Sequence, residues 1–245
     1  MGLLTKNKPK CLLEFQGRTL LETQLGVINE FNVKKIIVVK GYLRDLLNIQ
    51  GIKYYINYEG HNMVYSLFCA ENELNGDVII SYGDIIFEKR ILSKLLSTTH
   101  DISVIIDLKW EKYFRARFGN PYSEGESLMY DSNYKIIEIG DSNPLPEKVQ
   151  GQYIGLIKLT KKGCEIVKEV YYSAKSTFHE KHWIRSRKVE DIYMTDLLQA
   201  LINSGYSIYG VPIESGWLEF DSESDYRLYK KWEKEGKLNY YYKTK

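Results

Sequence analysis

The stretch Val78-Ile79-Ile80-Ser81-Tyr82-Gly83-Asp84 decides how the rest of the chain is read. A short apolar run, preceded by Asn75-Gly76 and closed by Gly83, is the pattern of a strand covered on both faces. The acid that follows falls just past the strand's carboxyl end, where open α/β sheets bind their ligands. Working outward, similar runs recur at Ile36-Ile37-Val38-Val39, closed by Gly41, and at 102–106, with a shorter strand at 52–56. Helical patterns lie between them. Thr19-Leu20-Leu21-Glu22 has capping-box spacing ahead of Leu21, Leu25, Ile28 and Phe31, and 62–74 carries Val64, Leu67, Phe68 and Glu71 on one helical face. Residues 91–96 are helical as well. This β-α order predicts an α/β fold, a mixed but largely parallel sheet with helices on both faces.

Residues 107–150 break the rhythm. Gly119-Asn120-Pro121, Gly125 and Asn143-Pro144-Leu145-Pro146 read as short strands and turns, a small β insertion over the sheet edge. Regular patterns return with strands at 153–159, 207–211 and 218–220 and helices at 162–174 and 194–203. Ser222-Glu223-Ser224-Asp225 caps a last helix reaching to about 235, and 236–245 reads as a basic, tyrosine-rich tail. No repeat or low-complexity linker divides the chain, so one domain over 1–235 is expected.

With 245 residues, 44% of them hydrophobic, the chain can bury a sizeable core and overall disorder is excluded. Its 34 basic against 32 acidic residues leave no electrostatic footprint for a nucleic acid. No apolar run approaches the roughly 20 residues that span a bilayer. The N-terminus, with Lys6, Lys8 and Lys10, has no signal-peptide pattern, so a cytoplasmic protein without a membrane partner is expected. Three scattered cysteines form no C-x-x-C pair, and His179-Glu180-Lys181-His182 is one residue short of the H-E-x-x-H spacing that sets two imidazoles on one zinc.

Two acids stand at strand ends. Asp84 follows Gly83, and Asp221 follows 218–220, with Glu219 two residues before it on the same strand face. Such a carboxylate pair suits a hard divalent cation with phosphate ligands, although a turn residue and a helix N-cap read equally well by position alone. Lys10, just past Pro9 and ahead of an apolar segment, is either a point charge for a phosphate or part of a basic terminal tail.

These residues carry a resemblance to the CTP-dependent nucleotidyltransferases, most like the 2-aminoethylphosphonate and phosphocholine cytidylyltransferases. The matching stretches run in order over nearly the whole chain: Leu4-Thr5-Lys6-Asn7-Lys8-Pro9-Lys10, Asn62-Met63-Val64-Tyr65-Ser66-Leu67, Tyr82-Gly83-Asp84, and Asp107-Leu108-Lys109-Trp110 with Tyr113, Arg115 and Arg117. Then follow 151–158, Tyr193-Met194-Thr195-Asp196-Leu197-Leu198, and Gly216-Trp217-Leu218-Glu219-Phe220-Asp221. The resemblance implies a Rossmann-like nucleotidyltransferase fold and transfer of a cytidylyl group from CTP to a small phosphonate or phosphomonoester. It further implies that Lys10 meets the triphosphate, that Asp84 and Asp221 hold Mg²⁺, and that Asn62, Ser66 and Gly83 border the nucleotide. Asp107, Trp110, Arg115, Arg117, Tyr153, Lys158 and Glu219 would serve the acceptor. An ammonium head would pair with Asp107, whereas a trimethylammonium head would want the faces of Trp110, Tyr113 or Tyr153. The Asp107-x-x-Trp110 stretch favours 2-aminoethylphosphonate, with phosphocholine next. A homodimer is an expected assembly, and a sugar-1-phosphate nucleotidyltransferase is an alternative.

The chain departs from the family at its start. The family opens with an apolar strand, a glycine-rich loop and an arginine, whereas here only Met1-Gly2-Leu3 precede Leu4. The strands around Ile36 and Val78 should therefore lack a neighbour between them. Two readings follow: an enzyme active as a longer parent, or a non-catalytic remnant that binds a nucleotide or partner.

Overall fold

The computed structural model describes residues 2–58, 60–178 and 181–243, so His179 and Glu180 of the histidine pair lie outside the described residues. After two 3₁₀ turns, a small hairpin of β1 (Glu14–Phe15) and β2 (Arg18–Thr19) leads into α1 (Leu20–Ile28). The capping box read from the sequence is complete. The Glu22 amide donates to the Thr19 hydroxyl at 3.1 Å, and the Thr19 amide donates to the Glu22 carboxylate at 2.8 Å. Next come β3 (Ile37–Lys40) and β4 (Lys53–Ile56), a parallel pair, then α2 (Met63–Cys69), β5 (Val78–Ser81), β6 (Ile85–Phe87) and α3 (Lys89–Leu96).

The strand β7 (Ile102–Asp107) is followed by a helix, α4 (Trp110–Phe118), where only strands and turns were expected. Trp110, Tyr113 and Phe114 are its buried face, and Gly119 closes it with φ +77°. The insertion continues as an antiparallel pair, β8 (Leu128–Tyr130) and β9 (Ile136–Ile139). The chain ends with β10 (Gln152–Leu159), α5 (Lys161–Thr177), α6 (Met194–Asn203), β11 (Tyr209–Ile213), β12 (Trp217–Glu219) and α7 (Glu223–Lys234).

The main sheet has four strands in the order β11-β7-β10-β5. β11 is parallel to β7, while β10 is antiparallel to both β7 and β5. The sheet is thus mixed, with β10 reversed against three strands of one direction, and the expectation of a largely parallel sheet is corrected. Alternation along β7 sends Ile102, Val104 and Ile106 into a core with α2, α5 and α6, and Ile105 into a second core with α1, α3, α4 and α7. Among the described residues, β3 pairs only with β4 and β5 only with β10. Both strands stay partly exposed along their whole length, unlike the fully buried β7.

The segment read as a tail is packed. Leu238 and Tyr242 are buried, Tyr241 stacks on Trp232 of α7 at 4.1 Å, and the Gly216 amide donates to the Tyr241 carbonyl.

Candidate active site

Three distant segments meet at the carboxyl end of β5. The turn Tyr82-Gly83-Asp84 joins β5 to β6, and β6 pairs antiparallel with β12, so the amide of Phe220 donates to the Asp84 carbonyl at 2.9 Å. That pairing brings Asp84 and Asp221 side by side. The ammonium of Lys10, at the start of a 3₁₀ turn after Pro9, lies between them, 2.9 Å from Asp84 Oδ2 and 3.2 Å from Asp221 Oδ1. Burial works against this ammonium, but Asp84 and then Asp221 outweigh it and hold its pKa above the ordinary lysine value. Asp221 is likewise opposed by burial yet held low, chiefly by Lys10.

Behind this triad stands the guanidinium of Arg117, fully buried. It donates to Glu219 at 2.7 Å, to Asp225 at 2.9 and 3.1 Å and to Asp221 at 3.3 Å. Glu219 is fixed again through its backbone, its amide donating to the Tyr113 hydroxyl and its carbonyl accepting from that of Tyr229. Burial raises the Glu219 carboxyl, against the pull of Arg117. Asp225 also accepts from the amides of Asp221 and Ser222, so one buried carboxylate caps α7 and anchors Arg117.

The turn has its own support. The buried Gln24 of α1 donates to the carbonyls of Tyr82 and Ile85 and accepts from the Ser81 hydroxyl. Gly155 in β10, at φ +83°, leaves room for the Tyr82 ring, which an added Cβ would meet at 2.5 Å.

Two carboxylates converging on one ammonium present hard oxygen donors to a single cation. Mg²⁺ is held in that way, by one or two carboxylates with phosphate oxygens and water completing its shell. The residues present fit that ion.

Residues 1–119 match the MobA-like NTP transferase domain family. The chain is 32% identical to the CTP:phosphoglutamine cytidylyltransferase of Campylobacter jejuni, over 91% of both chains. It belongs to the nucleotidyltransferases, as a cytidylyltransferase-family enzyme. It is also 24% identical to the choline-phosphate cytidylyltransferase of Streptococcus pneumoniae, over 91% of this chain and 89% of that one. Among solved structures, the S. pneumoniae CTP:phosphocholine cytidylyltransferase superposes with a TM-score of 0.69 at 20% identity, covering 94% of this chain and 92% of that one. The inositol-1-phosphate CTP transferase from T. maritima gives 0.68 at 19%, covering 98% and 91%. Both share the fold.

Several residues expected at the acceptor of this cytidylyltransferase stand elsewhere. Asp107 is fully buried, its carboxylate accepting from the amides of Lys109 and Ser215 and from Trp217 Nε1 at 2.9 to 3.0 Å. It joins β7 to β12 and has no face toward a ligand. Lys158 is buried and donates to the carbonyls of Leu96 and Thr98, closing the end of α3. It pairs across β5 with Ile79, five residues before Asp84, and its ammonium is taken up by those carbonyls. Arg115 is exposed and paired with Glu111 one turn away. Trp110 and Tyr113 are buried in the core with α1, α3 and α7, whereas Tyr153 packs against the opposite core, so no aromatic cage forms from the three. Arg117 and Glu219 do come to the centre, as support for Asp221. Asn62 caps α2, its side chain donating to the Asp191 carbonyl, and Ser66 accepts from Asn57.

Sequence reading missed Gln24, the Tyr113–Tyr229 pair and the anchoring of Arg117 by Asp225, which it placed only in the helix cap. Gln24 alone gave a signal, a polar residue on the buried face of an otherwise apolar helix.

Proposed function

We propose that the protein transfers a cytidylyl group from CTP to a small phosphorylated molecule and releases pyrophosphate. The observation that carries this reading is the convergence of Lys10, Asp84 and Asp221 at the ends of β5 and β12. An oxygen of the acceptor's phosphate attacks the α-phosphorus of CTP. A P–O bond forms there, the bond to the α,β-bridging oxygen breaks, and pyrophosphate leaves with that electron pair. Asp84 and Asp221 would hold Mg²⁺, which when bound neutralises charge on the phosphate oxygens.

The protein's own part is alignment and charge. Lys10 exchanges its carboxylate partners for the nucleotide's phosphates, Gly83 lets the ligand approach the backbone, and Arg117 with Asp225 keeps Asp221 facing forward. Asn62 and Ser66, at the start of α2, are the proposed nucleoside contacts. The burial of Asp107 and Trp110 removes the support for a preference toward 2-aminoethylphosphonate, so the acceptor class rests on the family.

The test is pyrophosphate release from CTP and Mg²⁺ with phosphoglutamine, phosphocholine and 2-aminoethylphosphonate in turn. Release with at least one acceptor is expected, and UTP or ATP should replace CTP poorly. Silence with all three, in a folded protein, would favour the remnant reading.

A further inference from the structure

A second group of charged side chains lies beyond Tyr82 from the triad and takes no part in the chemistry above. The Tyr82 ring meets that of Tyr153 edge-on at 5.9 Å, and the Tyr153 hydroxyl is buried with no hydrogen-bond partner among the described residues. Gln152, beside Tyr153 in β10, donates to the Glu126 carbonyl at 2.9 Å, so the insertion meets the sheet next to that ring. The Gly140 amide donates to the Ser127 carbonyl, next to Glu126, and a Cβ at Gly140 would meet Arg185 Nη1 at 3.1 Å, so Glu126 and Arg185 flank the same corner of the insertion. Tyr82 is two residues from Asp84, a span of about 7 Å. A small molecule with its phosphate at the triad and its other end past Tyr82 would extend toward this group.

The two arginines are held ready at that end. Arg185 donates to the buried Asp196 at 2.7 Å and to the Ile139 carbonyl, and Arg187 donates to Asp196 at 3.3 Å and lies over the Tyr193 ring at 4.5 Å. Asp196 is held in turn by the Tyr193 amide. Arg185 and Ser186 both adopt left-handed backbone, φ 47° and 57°, in a loop closed by the Trp183 amide on the Arg187 carbonyl. Two consecutive non-glycine residues in that region cost of order 1–3 kcal/mol each, a strain that clusters at ligand-binding positions. Gly140, at φ +86°, completes the wall, since a Cβ there would strike Thr195 at 2.5 Å. A guanidinium has five donors, and Asp196 engages one nitrogen of Arg187, which leaves the rest of its fork for a second anion.

We infer that Arg187 and Arg185, with Glu126 beside them, form the head-group end of the acceptor site and select an acceptor whose far end is an amino-acid zwitterion, its carboxylate on the arginines and its ammonium on Glu126. This rests on the cytidylyl-transfer reading for where the phosphate lies. A bidentate carboxylate contact on arginine gives the geometric selectivity that a point charge lacks. An acceptor without a carboxylate leaves the guanidinium unanswered, and a site built to bond a charged group rejects a ligand that lacks it.

The test has a binding arm and a turnover arm. By calorimetry the wild-type protein should bind phosphoglutamine more tightly than phosphocholine or 2-aminoethylphosphonate, and Arg187→Gln should erase the difference. In turnover, the ratio of kcat/KM for phosphoglutamine over phosphocholine should fall at least about tenfold in Arg187→Gln and recover in part in Arg187→Lys, which keeps the charge but loses the fork. Glu126→Gln should weaken phosphoglutamine and 2-aminoethylphosphonate more than phosphocholine, since both carry a primary ammonium whose N–H groups a carboxylate accepts, whereas a trimethylammonium has none. Equal weakening of all three acceptors, an unchanged ratio, or a wild-type protein that binds phosphocholine as well as phosphoglutamine overturns the inference. Selective binding without pyrophosphate release would instead sink the transfer reading and leave the head-group site standing.

Discussion

Asp84 meets Lys10 in a half-exposed ion pair, and such pairs contribute about 0–1 kcal/mol to stability. Asp84→Asn should therefore lower kcat at least about a hundredfold while thermal unfolding shifts by no more than about 1 kcal/mol. Asp107 is its opposite, an acid of the same charge at the end of β7, one strand removed from β5, whose oxygens are saturated by three N–H donors. Asp107→Asn turns one donor of the new amide against those N–H groups, and about 1–3 kcal/mol should be lost in denaturant titration. Acceptor KM should hold steady in that variant, because the side chain faces no ligand. Sequence pattern placed both acids correctly at strand ends. It could not say which one looks outward, because that depends on Trp217 and Ser215, more than 100 residues away.

Most elements were legible from capping and periodicity. The Thr19 box, the Ser222 box and the apolar runs of β5, β7 and β10 all formed where local chemistry put them. The helix α4 was passed over although Trp110, Tyr113, Phe114 and Phe118 fall at helical spacing, because the glycines and prolines after it made the whole insertion look irregular. Its cost to the reading was high, since α4 carries Arg117 into the carboxylates of β12 and α7. Arg117→Met should destabilise the protein by about 3–5 kcal/mol, by leaving the buried Asp225 and the half-buried Glu219 without their cation, and urea unfolding measures it. Strand direction was not legible either. Apolar runs look alike whether a strand runs with its neighbours or against them, as β10 does against both β5 and β7.

Across the whole molecule, the last residues serve as structure. Removing 237–243 strips Leu238 and Tyr242 from the core and the Tyr241 ring from Trp232, and should cost about 3–5 kcal/mol, read as a lower melting temperature. Composition marked this segment only as basic and aromatic, and a core partner cannot be read from composition. The joining of Lys10 to Asp221 spans 211 positions of sequence. On a ribosome adding about 5–20 residues per second, the lysine emerges and then waits on the order of 10–40 s before its second carboxylate has even been made. Until then the nascent chain can bury β7 and β10 but holds only part of its phosphate chemistry, so the growing protein cannot close the Lys10–Asp221 contact before Asp221 has been added.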